Sequence, residues 1–446
     1  MSSHTNFTLE NQPDPEEVIE MASHATAIFN PIPRESMMID GFDVYLKPIS
    51  LDPIKGDIEF IMEKDEMHYT SPNIYVYCKF KITNNGTDLT ADEDVAPINL
   101  FGQSFFQSCH LMANDTRVTE NTSDSLGYKN YIEAIVSHGY DSRKSSLQSA
   151  MYYRDTDGKF DVTIKSGGND GYNKRQKLVA TSNECEFIAK VGLDILTIDR
   201  FLPPGVKLGF RFTRNDPTFY LLTKKVGTNA IPNYRGEVLD IHLIIRKIRL
   251  RDDILLKHKK MFANGGVAQY PYTKSVIKRR VIPKSNLSDY WISAFTGPIP
   301  QIILIALVET SAETGNIEAN PFHFKHFNLT HLCTKIDGVM HPTGGYNVDI
   351  EKGLYWKMLR NFYDNLGHTN NSGCVIDYEN FKDGYFFPCF NYNPDKQGSL
   401  LKKSGSVDIE LKFKTALSSS ITILALGFFE ATLLVSEKEM KTIINT

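Results

Sequence analysis

The strongest constraint on the fold is a strict alternation of apolar and polar side chains that recurs along the chain. It is clearest at 75–82, 206–212 and 407–414. Because successive side chains of a β-strand point to opposite faces, each run predicts a strand with one face on a core. Turn-forming pairs such as Asn114-Asp115 and Asp337-Gly338 separate runs of this kind. The pattern predicts an all-β chain of antiparallel sandwiches.

From about residue 40 onwards, helical periodicity is confined to two short segments. Apolar residues recur at helical spacing in 131–136, before Gly139, and in 355–366, before Gly367. A glycine directly after such a segment is typical of a helix C-terminus. The sequence therefore predicts two short helices inserted into an otherwise β chain.

The two halves of the chain present their elements in the same order. In each half a strand region leads to a turn and a short helix, and then to a glycine (Gly205 or Gly405), an alternating strand and a long apolar strand. The 446 residues are sufficient for two such domains. Residue identity between the halves is low, so the similarity lies in the order of elements. The predicted divisions are a flexible N-terminal arm (1–40), a first sandwich (41–255), a linker or crossover (256–284) and a second sandwich (285–446).

The N-terminal arm is polar and punctuated by prolines. It contains one helical pattern, from Pro15 to Ala27, with Glu16, Glu17 and Glu20 in the first turns, where acidic residues favour a helix. It lacks the basic start and apolar run of a signal peptide. A plain disordered tail is an equally good interpretation of the same residues.

Cysteine usage and hydropathy argue against a secreted or membrane-spanning protein. The six cysteines are scattered without CxxC spacing, which predicts reduced thiols in the cytosol or nucleus. The apolar stretches Ile302–Val308 and Ile421–Val435 are short for membrane spans and predict buried strands instead. The sequence thus predicts no membrane span.

The sequence contains none of the common motifs of nucleotide-binding and hydrolytic enzymes. GxxxxGK[ST], GxSxG and HExxH do not occur, and no GxGxxG follows a strand and opens a helix. An enzyme assembled from distant residues leaves no such signal. The prediction is a non-enzymatic protein with no catalytic residue and no cofactor site.

Three histidines close in sequence, His323, His326 and His331, form the densest candidate for a metal site. On a strand, His323 and His326 are separated by an odd number of residues and point to opposite faces, as do His326 and His331. The sequence therefore predicts ordinary hydrogen-bonded histidines and no metal site.

Two basic runs are candidates for weak phosphate contacts. The net charge of −4 excludes a general nucleic-acid coat, and a solvated loop is the favoured interpretation of both runs. At most, they predict weak, non-specific contact with DNA. The candidate residues are Lys257, Lys259, Lys260, Lys278, Arg279 and Arg280.

An aromatic-rich segment, 378–392, contains seven Tyr and Phe residues. Such a segment can form a platform for carbohydrate or bases. Packing between domains or between subunits is the favoured interpretation.

Several stretches, in their order along the chain, together resemble the major capsid protein of Polinton (Maverick) virus-like elements. They are Pro97 to Phe101, Tyr131 to Glu133, Tyr153 to Gly158, Asp199 to Leu202 ahead of Gly205, and Asn320 to Leu329 followed by Asp337-Gly338. They span roughly residues 40 to 435, and the arm has no counterpart.

This resemblance implies a double jelly-roll, in which each sandwich is an eight-stranded jelly-roll. It also implies a structural role in the virion: homotrimers that form pseudo-hexameric capsomers of an icosahedral shell enclosing double-stranded DNA. The implied partners are a penton or minor capsid protein, a maturation protease and a packaging ATPase. The implied route is synthesis in the cytoplasm, with assembly there or in the nucleus. In such an assembly, 159–183 and 378–399 are candidates for outer loops.

Two alternatives remain open from the sequence. One is a tandem sandwich that binds or cleaves glycans, which needs a pair of carboxylates facing a groove. Only two tryptophans occur, so the chain is poor in the usual sugar-binding platform. The other is a host-retained copy of a capsid gene with a different role.

Overall fold

The described residues form two β-sandwiches in tandem. The computed structural model describes residues 37–114, 116–119, 125–224, 233–367, 374–393, 404–436 and 440–444. Each sandwich has two main antiparallel sheets, so the predicted all-β tandem arrangement is confirmed. Among the described residues, no helix combines the length and apolar character that crossing a membrane requires.

The first sandwich precedes residue 251. Its strands are β1 (Met38–Leu46), β2 (Ile58–Met62), β3 (His68–Thr70), β4 (Tyr75–Asn84), β5 (Thr87–Asp88), β6 (Val95–Pro97), β7 (Phe106–Ala113), β8 (Thr116–Arg117), β9 (Cys185–Lys190), β10 (Leu208–Arg214), β11 (Leu221–Thr223) and β12 (Tyr234–Leu250). One sheet has the order β1-β12-β4-β5, with β3 on β12 and β9 on β4. The facing sheet has the order β2-β10-β7-β8, and β6 pairs with β11.

The second sandwich follows the same plan with fewer strands. They are β13 (Ala268–Ile282), β14 (Ser288–Pro298), β15 (Ile302–Glu309), β16 (Leu329–Ile336), β17 (Val339–Asn347), β18 (Cys389–Asn391), β19 (Ser404–Phe413), β20 (Ile421–Val435) and β21 (Met440–Ile444). One sheet has the order β13-β20-β15-β18, with β21 on β20, and the other β14-β19-β16-β17.

Helices occupy the connections between strands. They are α1 (Phe101–Ser104), α2 (Leu126–Ser137), α3 (Tyr140–Lys144), α4 (Asp170–Val179), α5 (Pro217–Tyr220), α6 (Asp252–Ala263), α7 (Thr310–Glu313), α8 (Trp356–Asn365) and α9 (Tyr378–Lys382). The two predicted helices are α2 and α8, and Gly367 follows α8 with a φ of 73°. Gly139 has an extended conformation and precedes α3 instead of closing α2.

The alternating and the continuous apolar runs form strands for different reasons. In β4 the buried residues alternate with partly exposed ones, as predicted for a strand with one face on the core. β20 is buried almost continuously because it lies between β13 and β15, inside the sheet. The predicted turn at Asp337-Gly338 is also present, with φ of 48° and 85°, the combination that a tight hairpin requires.

Three predicted segments differ from the structure. Most of the predicted arm, 1–36, lies outside the described residues, whereas Met38 to Asp40 already belong to β1. The predicted linker, 256–284, contains most of α6 and all of β13, which pairs with β20 along its whole length. The candidate outer loop 159–183 contains α4, whose buried face fixes it to the sandwich. Charged and glycine-rich composition suggested solvated loops for the last two segments, but pairing with β20 orders β13 and a buried helix face orders α4.

Candidate functional site

The two sandwiches join at a junction formed by the segments 153–161 and 320–328. Both overlap stretches that carry the sequence resemblance, Tyr153 to Gly158 and Asn320 to Leu329. The Asp161 carboxylate accepts from the backbone N–H of Asn320 at 2.9 Å and lies 2.7 Å from Nδ1 of His323. The backbone N–H of Gly158 donates to the carbonyl of Asp383 at 3.0 Å. Hydrogen bonds therefore connect the sandwiches at several points.

Aromatic rings fill the interior of the junction. The rings of Tyr131 and Phe322 are stacked, with centroids 4.0 Å apart and planes 6° apart. Phe160 contacts His323 at 4.9 Å and Tyr385 at 5.3 Å between ring centroids. All except His323 are buried, and they belong to one hydrophobic core that continues through both sandwiches. Aromatic contacts of this size contribute strongly to the stability of an interface, so the sandwiches form one packed unit.

Asp161 is the electrostatic centre of the junction. Its carboxylate lies 3.1 Å from the ammonium of Lys325, which also pairs with Glu309 at 2.9 Å. Burial by itself raises the pKa of Asp161, but the hydrogen bond and charge of His323, together with Lys325, lower it well below its usual range. The carboxylate is therefore ionised over the whole neutral range.

A buried ion pair holds the first segment of the junction in place. Arg175 on α4 donates to Asp155 and to the carbonyl of Tyr153, both at 2.7 Å, and to the carbonyl of Pro97 at 2.8 Å. The side chains of Arg175 and Asp155 are fully buried. A buried guanidinium is tolerated when its donors are satisfied in this way. The buried contacts of Arg175 explain why the segment 159–183 is packed against the sandwich and does not form a free loop.

β13 is also attached to the first sandwich. The backbone N–H of Ser275 donates to Asp194 at 2.8 Å, and the Tyr270 hydroxyl donates to the carbonyl of Phe201 at 3.0 Å. The Arg200 guanidinium donates to the carbonyl of Gln269 at 2.9 Å. β13, which carries the chain into the second sandwich, is therefore hydrogen-bonded to the first sandwich as well.

The six basic candidates do not form one surface. Lys257, Lys259 and Lys260 lie on α6, whereas Lys278, Arg279 and Arg280 lie near the other end of β13. Lys278 lies ten positions along the extended strand from Ala268, a distance of about 33 Å. Neighbouring Arg279 and Arg280 point to opposite faces and pair with Glu313 and Asp289, each at 2.8 Å. Lys259 pairs with Glu66 at 3.2 Å. Their phosphate contacts stay a prediction.

The three candidate histidines do not come together at one site. His323 contacts Asp161, and Nδ1 of His331 lies 2.8 Å from the side-chain oxygen of Asn347. His326 lines the same cavity as His323, and its Nδ1 accepts from the backbone N–H of Asn328 at 3.0 Å.

A different group of potential metal ligands was missed. The potential donor atoms of His331, Cys333 and Glu410 lie within 4.8 Å of one another. His331 and Cys333 are two positions apart on β16 and therefore share a face, and Glu410 on β19 is the register partner of Cys333. The ammonium groups of Lys335 and Lys412 pair with the two carboxylate oxygens of Glu410 at 2.9 and 3.1 Å. These two ion pairs lower the pKa of Glu410 to about 2. The carboxylate is thus already neutralised by two ammonium groups.

Comparison of the sequence with known proteins gives a distant relative. No model of a known protein family matches the chain. A protein of Caenorhabditis elegans named "Uncharacterized protein F54H12.2" is 24% identical over 375 residues, which cover 81% of this chain and 86% of that protein.

Solved viral structures match nearly the whole chain. A chain of the Sputnik virophage cryo-EM structure aligns with a TM-score of 0.63 at 10% identity, covering 99% of this chain and 94% of its own. The mavirus major capsid protein aligns with a TM-score of 0.58 at 10% identity, covering 97% of each chain. The chain has a double jelly-roll fold. The Faustovirus major capsid protein also aligns, with a TM-score of 0.51 at 11% identity over 91% of this chain and 92% of its own. The junction therefore lies between the two jelly-rolls.

Proposed function

We propose that this chain is a structural, non-enzymatic major capsid protein. Its homotrimers form pseudo-hexameric capsomers that tile an icosahedral shell around double-stranded DNA. The observation that supports this most strongly is the double jelly-roll fold, shared with the mavirus major capsid protein over 97% of both chains. Glycan binding or cleavage has no comparable support from the similar structures.

The geometry of the fold suits a shell. A trimer of two-domain chains presents six similar jelly-rolls around one axis, which lets a three-fold unit occupy a six-fold lattice position. That arrangement requires a fixed angle between the jelly-rolls of each chain. The continuous core and the Asp161 contacts supply it, because bending the junction would expose Phe322 and separate paired charges.

The proposal also includes the partners of the protein and its location. A shell of trimers needs a penton or minor capsid protein at its vertices, and the sequence resemblance adds a maturation protease and a packaging ATPase. The mature location is the virion, after synthesis in the cytoplasm and assembly there or in the nucleus. Contact of the basic residues with packaged DNA is weak and non-specific.

Size-exclusion chromatography with light scattering, followed by negative-stain imaging, tests the proposal. We expect a species near 150 kDa, three chains of 50.5 kDa, with a pseudo-hexagonal outline, or closed shells. A monomer of about 50 kDa that persists at high concentration would overturn the capsomer assignment. A glycan screen would then be the next measurement.

A further inference from the structure

α6 leaves an apolar groove uncovered at the end of the first jelly-roll. Cavities of 360 and 410 Å³ lie beside the helix and adjoin each other, since Tyr69, Pro203, His258 and Phe262 line both. Its apolar lining is Tyr69, Phe201, Leu250, Met261, Phe262 and Tyr270. Met261 is 63% exposed. We call this surface the α6 groove.

The helix is held to the jelly-roll by few contacts. Leu255 is its buried residue, and it packs with Tyr69, Ile248 and Leu250 in a small cluster separate from the main core. The Tyr69 hydroxyl and Nδ1 of His258 are hydrogen-bonded at 2.7 Å. A helix with so little buried surface gains much from a partner on its exposed apolar side.

The N-terminal arm starts beside this groove. The backbone N–H of Arg251, the residue before α6, donates to the carbonyl of Met37 at 2.9 Å, and Met38 pairs with Leu250. Leu250 itself lines the groove. The helix of 12 residues is about 18 Å long, so residues 1–36 can reach any part of it.

The arm matches the groove in charge and in apolar pattern. Residues 1–36 contain six acidic residues and one basic residue, Arg34, a net charge of −5. The charged residues that border the groove are Lys64, Glu66, Arg200 and Lys259, and α6 also carries Asp252, Asp253, Lys257 and Lys260, so basic side chains outnumber acidic ones by five to three. Apolar arm residues recur at helical spacing, as an amphipathic helix bound in a groove requires. They are Val18, Met21, Ala22, Ala25 and Ile28.

We propose that residues 15–28 of the N-terminal arm bind as an amphipathic helix in the α6 groove of their own chain. The apolar stripe covers Met261 and Phe262, and Glu17, at the edge of this stripe, lies toward the lysines of α6, whereas Glu16 and Glu20 lie on the solvent side of the helix. The basic run 257–260 then faces an acidic segment of the same chain, so the weak DNA contact proposed above rests on Lys278, Arg279 and Arg280. This inference does not depend on capsid assembly.

Hydrogen–deuterium exchange on the full chain tests the proposal with a matched pair of variants. Ala22→Asp places a charge on the apolar stripe, and Ser23→Asp places the same charge on the next, polar face. We expect a several-fold faster exchange of the α6 amides in A22D and wild-type exchange in S23D. Equal exchange in wild type, A22D and S23D would overturn the proposal.

Crosslinking separates the arm of the same chain from that of a neighbour. In the double variant Met21→Cys/Met261→Cys, with the two single variants as controls for native thiols, we expect an intrachain disulfide under mild oxidation. A disulfide that forms only between chains would overturn the assignment to the same chain. A short DNA duplex gives a further readout. If it slows the exchange of the α6 amides equally in A22D and S23D, and the arm variants themselves have no effect on that exchange, α6 is a phosphate-binding surface and the proposal is overturned.

Discussion

Asp161 shows how a single carboxylate can connect two domains. It receives bonds from the backbone of Asn320, from His323 and from Lys325, all of which belong to the second jelly-roll. Phe322, between these residues in sequence, packs its ring into the first jelly-roll against Tyr131. Polar and apolar parts of the same short segment therefore act on the same junction.

Replacing Asp161 by Asn should make the stability of the junction less dependent on pH. Because the pKa of Asp161 is lowered below the unfolded value of 3.8, its contribution is present above that pH and is lost as the pH falls through and below it. At pH 7 we expect D161N to lower the free energy of unfolding by about 1–3 kcal/mol. The difference from wild type should shrink below pH 3. Urea unfolding measured between pH 2.5 and 7 checks this, with the exposed Asp92→Asn as control.

Replacing Phe322 by Ala should destabilise the protein far more than a surface truncation. Phe322 is fully buried, and we expect a loss of about 3–5 kcal/mol because the cavity opens between two domains that cannot both relax into it. Ile292→Ala, 67% exposed, is the matched control and should change little. Similar melting temperatures for the two variants would contradict the packing described for the junction.

At the level of elements, period-two patterns predicted strands well and composition predicted connections poorly. β4, β10, β19 and β20 coincide with the runs seen in the sequence. α4 was missed because its helical face depends on Tyr172 and on one buried Arg175, which looks like a solvated charge in a sequence of lysines and asparagines. β13 was predicted to be linker because it contains the basic run 278–280, and its backbone pairs with β20, a partner about 140 to 170 residues away. Long-range pairing of this kind leaves no local signal.

The candidate site was predicted only in part, because it too depends on contacts between residues that are far apart in the sequence. The resemblance pointed to 153–158 and 320–329, and both segments lie at the junction. Their mutual contact, through Asp161 and Phe160, was not predictable, because it joins residues about 160 positions apart. The His331, Cys333 and Glu410 group was equally hidden, since it needs the register of β16 against β19.

Zinc should not stabilise this group on the β16–β19 face. Both carboxylate oxygens of Glu410 are bonded to ammonium groups, so a divalent cation would have to displace Lys335 or Lys412. We expect the melting temperature to be the same with an equimolar amount of Zn²⁺ and with a chelator. A rise of several degrees that is abolished by His331→Ala would show that the ligands do bind metal.

For the whole molecule, the continuous core predicts cooperative unfolding. Buried residues of both jelly-rolls belong to one cluster, so opening one exposes the junction surface of the other. We expect a single calorimetric transition, with β4 and β20 amides exchanging at the same free energy of opening. Two resolved transitions, or a large difference in opening energy between these strands, would show that the jelly-rolls unfold independently.

The position of β20 has a consequence for synthesis on the ribosome. The first jelly-roll has all its described strands once residue 250 has been made, but β13 and β15 pair with a strand that ends only at Val435. At typical elongation rates the 185 residues between these points take roughly 10 to 40 s. During that interval we expect the aromatic surface around Tyr131, which Phe322 of the second jelly-roll covers in the folded chain, to be exposed to water. We therefore expect the nascent chain to offer chaperones a temporary binding surface at this place.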